Sequence, residues 1–326
     1  MIHATVIIAG GGPAGATCAR ELTKHGIDAL ILDKQRFPRT KLCAGWITPK
    51  VLADLELNPG DYPHRILLYR RLRFYFRGIP VPVPTLQYSI RRREFDDFLL
   101  KRAGAPVHQH NVRSIRQSGD GYIIDDTYHC KYLVGAGGTF CPVYRNLFPD
   151  AHPRKPERSI VTLEIEFPFQ WGDPECRLWF FDNGLPGYSW YVPKQNGYLN
   201  IGIGGKIASL KRRGETINAH WQKFLKKLSQ KGLINGRQLS PKGHVYHLRG
   251  ETDVVQKGNA FIIGDAAGLA TRDMGEGIGP AIESAQMAAH AITHGGSYTT
   301  RAVTRWSAPQ ILLGKTKRDK RTAISG

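Results

Sequence analysis

The sequence predicts an α/β fold in which a parallel-sheet domain is interleaved with a region of mixed or antiparallel sheet. Three observations carry this expectation. An apolar, β-branched run from Ala4 to Ala9 meets the glycine-rich turn Gly10-Gly11-Gly12-Pro13-Ala14-Gly15 and then a helical stretch. A second apolar run at residues 260–263 stops abruptly at Gly264-Asp265. Between them, residues 160–204 are rich in aromatic residues and carry strand rather than helix patterning.

At the N-terminus, Ala4 to Ala9 reads as a buried parallel strand, Ala16 to His25 as a helix closed by Gly26, and Ala29 to Leu32 as a second strand ending at Asp33. This is a complete βαβ unit of about thirty residues with an acid at its far end. Gly10 permits the tight turn, Gly12 lets backbone approach a pyrophosphate, and Gly15 lets helix and strand pack closely. The helix N-terminus offers unpaired N–H groups and partial positive charge to phosphate. Asp33 is suited to accept hydrogen bonds from ribose hydroxyls, so the unit reads as a Rossmann-like dinucleotide site.

Farther along, Arg70 to Arg77 alternates basic and apolar residues, and Pro80, Pro82 and Pro84 mark an edge-like segment. Residues 91–103 return to helix with Phe95, Leu99 and Leu100 on one face, and 122–124 and 131–134 read as short strands. Residues 215–231 form an amphipathic helix bearing Trp221, Phe224, Leu225 and Leu228. Gly264-Asp265 places a carboxylate at the carboxyl edge of a sheet, where open α/β folds bind ligands. The loop Gly275-Glu276-Gly277-Ile278-Gly279 then opens an Ala-rich helix running to His294. Its glycines allow backbone to approach a flat ring, and its dipole can stabilise negative charge there.

Composition narrows the classes. With 326 residues, 41% hydrophobic and 22% charged, the chain is an ordinary globular protein of roughly two domains. Its 36 glycines cluster without a period, which excludes collagen and solenoid architectures. Five scattered cysteines without a C-x-x-C pair indicate neither a disulfide framework nor a zinc site, and no metal site is expected. The net charge of +19, with peaks at Arg91 to Arg93 and at Lys315 to Arg321, favours anionic partners. Apolar stretches fall short of a membrane span and no signal peptide is recognisable. The expected location is cytoplasmic, with peripheral contact to an anionic membrane surface left open. No helix-turn-helix, RNA-recognition or zinc module is visible, so a specific nucleic-acid partner is not expected. The oligomeric state is not indicated.

Together, the GGGPAG turn with Asp33, the segment Arg92-Arg93-Glu94-Phe95-Asp96 and residues 264–278 (GDAAGLATRDMGEGI) resemble FAD-dependent oxidoreductases of the p-hydroxybenzoate hydroxylase fold. Within that group, Lys41-Leu42-Cys43-Ala44-Gly45 and the stretch Tyr188 to Lys194 look most like the geranylgeranyl reductase family, which shows K-x-C-G-G-like and Y-x-W-x-F-P-K motifs. The resemblance implies that Gly10, Gly12, Pro13, Ala14 and Gly15 hold the FAD pyrophosphate, and Asp33 with Lys34 the adenosine ribose. It places Arg92 at the ribityl–phosphate region, Gly264 and Asp265 at the ribityl hydroxyls, and Gly275, Gly277 and Ile278 at the isoalloxazine edge. Lys41, Cys43, Ala44 and Gly45 would border the reactive flavin face. Cys43, Tyr188 and Trp190 are the candidate catalytic residues, the two aromatics as the wall of a substrate cavity.

Departures are visible. The family's A-D-G-x-x-S-x-V-R segment is here Ala136 to Arg145, lacking the Asp and carrying Cys141 for Ser, so NAD(P)H or another reductant remains open as electron donor. The implied boundaries are an FAD-binding domain at 1–60, 88–155 and 245–295, a substrate-binding sheet domain at 61–87 and 156–244, and a basic tail at 296–326. The expected activity is reduction of C=C bonds in an apolar, isoprenoid-like substrate by hydride transfer through flavin N5. Aromatic monooxygenation is the alternative, as is halogenation, since Gly187 to Pro193 is similar to the halogenase W-x-W-x-I-P signature with Tyr188 in place of the first Trp.

Overall fold

A computed structural model describes residues 1–236, 239–251 and 254–313. The basic run Lys315 to Arg321 lies outside the described residues. Compactness divides the chain into two discontinuous units: residues 1–40, 93–158 and 246–306 in the first, and 41–92, 159–245 and 307–326 in the second.

The first unit is built on the predicted βαβ element. Strand Ile2–Ala9 lies parallel to Ala29–Asp33 on one side and to Tyr128–Gly135 on the other. Ala260–Ile262 extends the parallel sheet beyond Tyr128–Gly135, and Val107–Gln109 extends it beyond Ala29–Asp33. The C-terminal halves of the inner strands are apolar because both faces are covered there. Val6, Ile7, Ile8, Ile31, Leu133 and Val134 are fully buried. Helix Pro13–Lys24 follows the glycine turn, and Ile278–His294 is the long Ala-rich helix. Gly264, at φ +57°, sits where a Cβ would come within 3.2 Å of the methyl groups of both Ala14 and Ala281, so these two helices close around the end of the last parallel strand.

The second unit is an eight-stranded mixed sheet among the described residues, ordered Lys242–His247, Ser159–Pro168, Tyr198–Lys206, Gly187–Lys194, Cys176–Phe180, Leu67–Phe76, Ile79–Ser89, Trp46–Ile47. Pro80, Pro82 and Pro84 all fall on the edge side, where Trp46–Ile47 covers only Tyr88 and Ser89. Alternate residues aim their N–H groups the same way, so three prolines two apart cost no ladder hydrogen bonds. One sheet face packs against helix Ile217–Gln230, capped by Thr216 Oγ1 accepting from Ala219 N at 3.2 Å. Its core joins Leu163, Trp179, Tyr191, Ile201 and Ile203 to Trp221, Phe224 and Leu228. Each such side chain contributes about 1.5–3 kcal/mol on burial. The opposite face is different in kind: it carries Thr162, Glu164, Gly202, Gly204, Tyr188, Trp190 and Phe180, by the register of the four central strands.

Candidate functional site

The predicted residues fall into two sets, one in each unit. In the first unit, the glycine turn has the geometry its sequence requires. A Cβ on Gly15 would collide with the Gly10 carbonyl oxygen, and one on Gly10, at φ +120°, would lie 2.5 Å from Ala136 O. Gly12 is the N-cap of helix Pro13–Lys24 and no side chain caps it, so the first-turn N–H groups face outward. Asp33 braces the turn: Oδ2 accepts from Gly11 N at 2.7 Å and Oδ1 from Gln35 N at 2.8 Å. Lys34 is exposed beside it.

A cation missing from the sequence reading completes this cradle. Arg39 Nη2 lies 3.3 Å from where a Gly12 Cβ would stand, and Arg39 Nη1 is 3.3 Å from Asp96 Oδ2. Asp96 is fully buried, so its carboxylate fixes the guanidinium over the turn. The turn, the unpaired N–H groups and Arg39 together fit a pyrophosphate.

The third motif lies in the same unit. Asp265 sits in the single turn Gly264–Ala267, with Oδ1 3.3 Å from where a Gly277 Cβ would be. A Cβ on Gly275 would strike the Tyr246 hydroxyl. Gly277 is the N-cap of the Ile278–His294 helix, and Ile278 is buried. The carboxylate of Glu276 accepts from Gly279 N at 2.6 Å, so one of that helix's first-turn donors is already engaged by the chain itself. Arg154 ties the departed segment to this motif. It donates to Thr139 O and, at 2.9 Å, to Ala266 O, and it lies 3.6 Å over the Tyr144 ring. His247 faces Arg154 and Asp265; burial, then Arg154, pushes its imidazole down to about 4, leaving it neutral at physiological pH.

In the second unit, the loop at 41–45 is held by the sheet. Gly45 has φ +63°, and a Cβ there would strike Ile90 O and come within 2.7 Å of Lys194 Nζ. Lys194, fully buried, donates to Ala44 O and to Ile90 O, the latter at 2.8 Å. Burial lowers its ammonium to about 8 against the opposing pull of Glu166 and Glu164. Asn200 Nδ2 donates to Cys43 O at 3.3 Å and Asn200 Oδ1 accepts from Trp190 Nε1 at 2.7 Å, so Cys43 and Trp190 share one hydrogen-bonded chain. Lys41 Nζ lies 2.9 Å from His244 Nε2.

Tyr188 and Trp190 do share a face, opposite Gly204 and Gly202, with ring centroids 5.8 Å apart. A Cβ on Gly202 would overlap the Trp190 indole, so that glycine is the bed on which the ring lies. Tyr191, next to Trp190 in sequence, does not line this face: with a period of two it points into the helix-covered core beside Ile201 and Trp179. Arg91 pairs with Glu166 at 2.8 Å and lies 3.5 Å over Tyr198, and Arg92 is buried, so of this run Arg93 alone is exposed.

The structure also brings an acid to this aromatic face that the sequence did not single out. Glu164 stands beside Gly202 and Trp190, 2% exposed, and its Oε1 has no hydrogen-bond partner. Burial raises its carboxyl to about 8, although Lys41, Lys194 and Arg92 pull it down; Glu166 adds to the rise. The face therefore combines an apolar aromatic wall with a buried carboxylic acid whose surroundings favour its neutral form.

Comparison with known proteins gives the chain's family resemblance and fold. Residues 3–53 match the FAD binding domain family model. A menaquinone reductase of Mycolicibacterium smegmatis is 27% identical over 90% of this chain and 77% of its own length. A digeranylgeranylglycerophospholipid reductase of Methanosphaera stadtmanae is 25% identical over 87% and 76%. The solved structure of a geranylgeranyl bacteriochlorophyll reductase-like protein from Thermoplasma acidophilum superposes with a TM-score of 0.79 at 21% identity, covering 90% of this chain and 78% of that one. The flavin-dependent brominase Bmp2 shares the fold at a TM-score of 0.70 and 19% identity, covering 94% and 81%. With the FAD binding domain match over the glycine turn and these relatives, the chain is an FAD-dependent oxidoreductase similar in sequence and fold to the geranylgeranyl reductases.

Proposed function

We propose that the chain reduces C=C bonds of an apolar, isoprenoid-like substrate, with NAD(P)H or another reductant restoring the flavin. The observation that carries this reading is the second unit's sheet face, where Trp190 and Tyr188 wall a surface kept low by Gly202 and Gly204, and Glu164 is the acid among them. Such a face recognises shape and apolar area. The reductase names of the sequence relatives support it.

Bound FAD supplies hydride chemistry through N5. The chain's own contribution begins with the glycine turn and Arg39, which would hold the pyrophosphate, and Asp33 and Asp265, which would accept from ribose and ribityl hydroxyls. Lys194 and Asn200 fix the 41–45 loop through the carbonyls of Ala44 and Cys43. Trp190 and Tyr188 exclude water from the apolar chain. Saturating a C=C bond takes a hydride at one carbon and a proton at the other. Glu164, neutral below about pH 8, holds that proton at its carboxyl. The test is product analysis after turnover with a polyprenyl compound in air and under nitrogen. A product gaining two hydrogens under both atmospheres supports the reading. A product formed only in air, carrying added oxygen or halogen, assigns the chain to the monooxygenase or halogenase alternative.

A further inference from the structure

The aromatic face does not end at Trp190. Tyr188 leads to Phe180 with ring centroids 5.5 Å apart, and Phe180 stacks on Phe76 at 4.9 Å and 12°. Phe180 also contacts Phe74 edge-on at 5.2 Å and precedes Phe181 at 6.5 Å. Exposure rises along this run: Trp190 is 5% exposed, Phe76 44% and Phe181 68%. Ile79 and Val81, paired with Phe76 and Phe74 across the hairpin, are 67% and 40% exposed. The two turns that end these strands thus present four large apolar side chains together to solvent, an arrangement a water-facing surface gains nothing from.

The surroundings are cationic. Arg77 forms the hairpin turn next to Phe76, and Lys211, Arg212 and Arg213 are exposed where Arg213 Nη1 donates to Gly184 O at 2.6 Å, beside the Phe181 turn. Lys231 lies 5.9 Å over the Tyr75 ring. The acid in the Phe181 turn, Asp182, is paired with Lys227.

We propose that this tip is a docking surface for an anionic lipid bilayer. Phe76, Ile79 and Phe181 enter the boundary between headgroups and acyl chains, and Arg77 with Lys211, Arg212 and Arg213 pairs with headgroup phosphates. Amphipathic rings favour that boundary, and basic side chains are attracted to its negative surface. The aromatic run then gives a lipid-borne chain a continuous apolar track from the bilayer to Trp190. The docking surface itself stands apart from the reaction proposed above, because binding is read without substrate or reductant.

The test is co-sedimentation of the FAD-loaded full chain with vesicles of phosphatidylcholine alone and of phosphatidylcholine mixed with phosphatidylglycerol. The protein is expected to bind the mixed vesicles, and less so as salt rises. Phe76→Ser/Ile79→Ser/Phe181→Ser should lower partitioning about tenfold or more, since three apolar side chains are removed from the boundary. Arg77→Glu/Arg212→Glu should lower it as well. These side chains are solvent-exposed, and unchanged circular dichroism and FAD content verify the fold of each variant. Lys223→Ala/Lys226→Ala, on the outer side of helix Ile217–Gln230, should bind as the parent does. Absence of binding to the mixed vesicles overturns the proposal, as does undiminished binding by the triple variant, or an equal loss in the Lys223/Lys226 control.

Discussion

Replacing Glu164 by Gln keeps the shape of the side chain and removes its titration. In the folded chain burial holds the carboxyl at about 8, against an ordinary value of 4.5, with Lys41, Lys194 and Arg92 already counted as opposing influences. At roughly 1.4 kcal/mol per pH unit, this difference corresponds to on the order of 5 kcal/mol against the charged form in the fold. The sign follows from proton counting. Between about pH 4.5 and 8 the folded chain keeps a proton that the unfolded chain has released, so the parent loses stability as pH rises through this window. The Gln variant has no such dependence. It carries instead an unpaired buried amide, a penalty of about 1–3 kcal/mol that does not change with pH. Urea unfolding of both proteins from pH 5 to pH 9 should therefore show the difference between parent and variant shifting by several kcal/mol in favour of the variant as pH rises. Parallel profiles would refute the reasoning, because a Glu164 that is charged and solvated at neutral pH cannot hold the proton assigned to it.

Three further outcomes follow from the site. Gly15→Ala drives a Cβ into the Gly10 carbonyl oxygen, so the turn must open; the purified variant should retain no FAD by absorbance while far-UV circular dichroism stays near that of the parent. Asp265→Ala removes an acceptor of charge-assisted hydrogen bonds and should weaken FAD by about 1.5–3 kcal/mol in a fluorescence titration of apoprotein; unchanged affinity would remove Asp265 from the site. Trp190→Ala should cost roughly 1–3 kcal/mol of affinity for a long polyprenyl compound, followed by perturbation of the flavin spectrum, and Gly202→Val should act similarly by lifting the indole from its bed.

What could be read from the chain depended on how local each signal was. The βαβ unit was legible because Gly10, Gly12, Gly15 and Asp33 act within one turn of backbone and its two strands, and strand, helix and glycine spacing agree there. The Gly264-Asp265 strand end was legible for the same reason. Arg39 was not: six residues past Asp33 it reads as one more surface cation, and only the buried Asp96 from the 92–101 helix turns it toward Gly12. Glu164 and Lys194 lie in strands whose patterning suggests a polar side chain facing water. Their burial comes from neighbouring strands and from the 41–45 loop folding over the sheet, which no short window contains. Tyr188 and Trp190, by contrast, were legible as one wall, because the two-residue period of a strand puts them on one face and Tyr191 on the other.

The central claim is that reduced flavin passes its electrons directly to an apolar carbon–carbon double bond, and an anaerobic single turnover tests it most directly. Enzyme reduced under nitrogen and mixed with a geranylgeranyl compound in a stopped-flow cell should regain its oxidised flavin absorbance, with one double bond saturated per flavin. Flavin that stays reduced until oxygen is admitted, and then yields an oxygenated or halogenated product, would contradict the account.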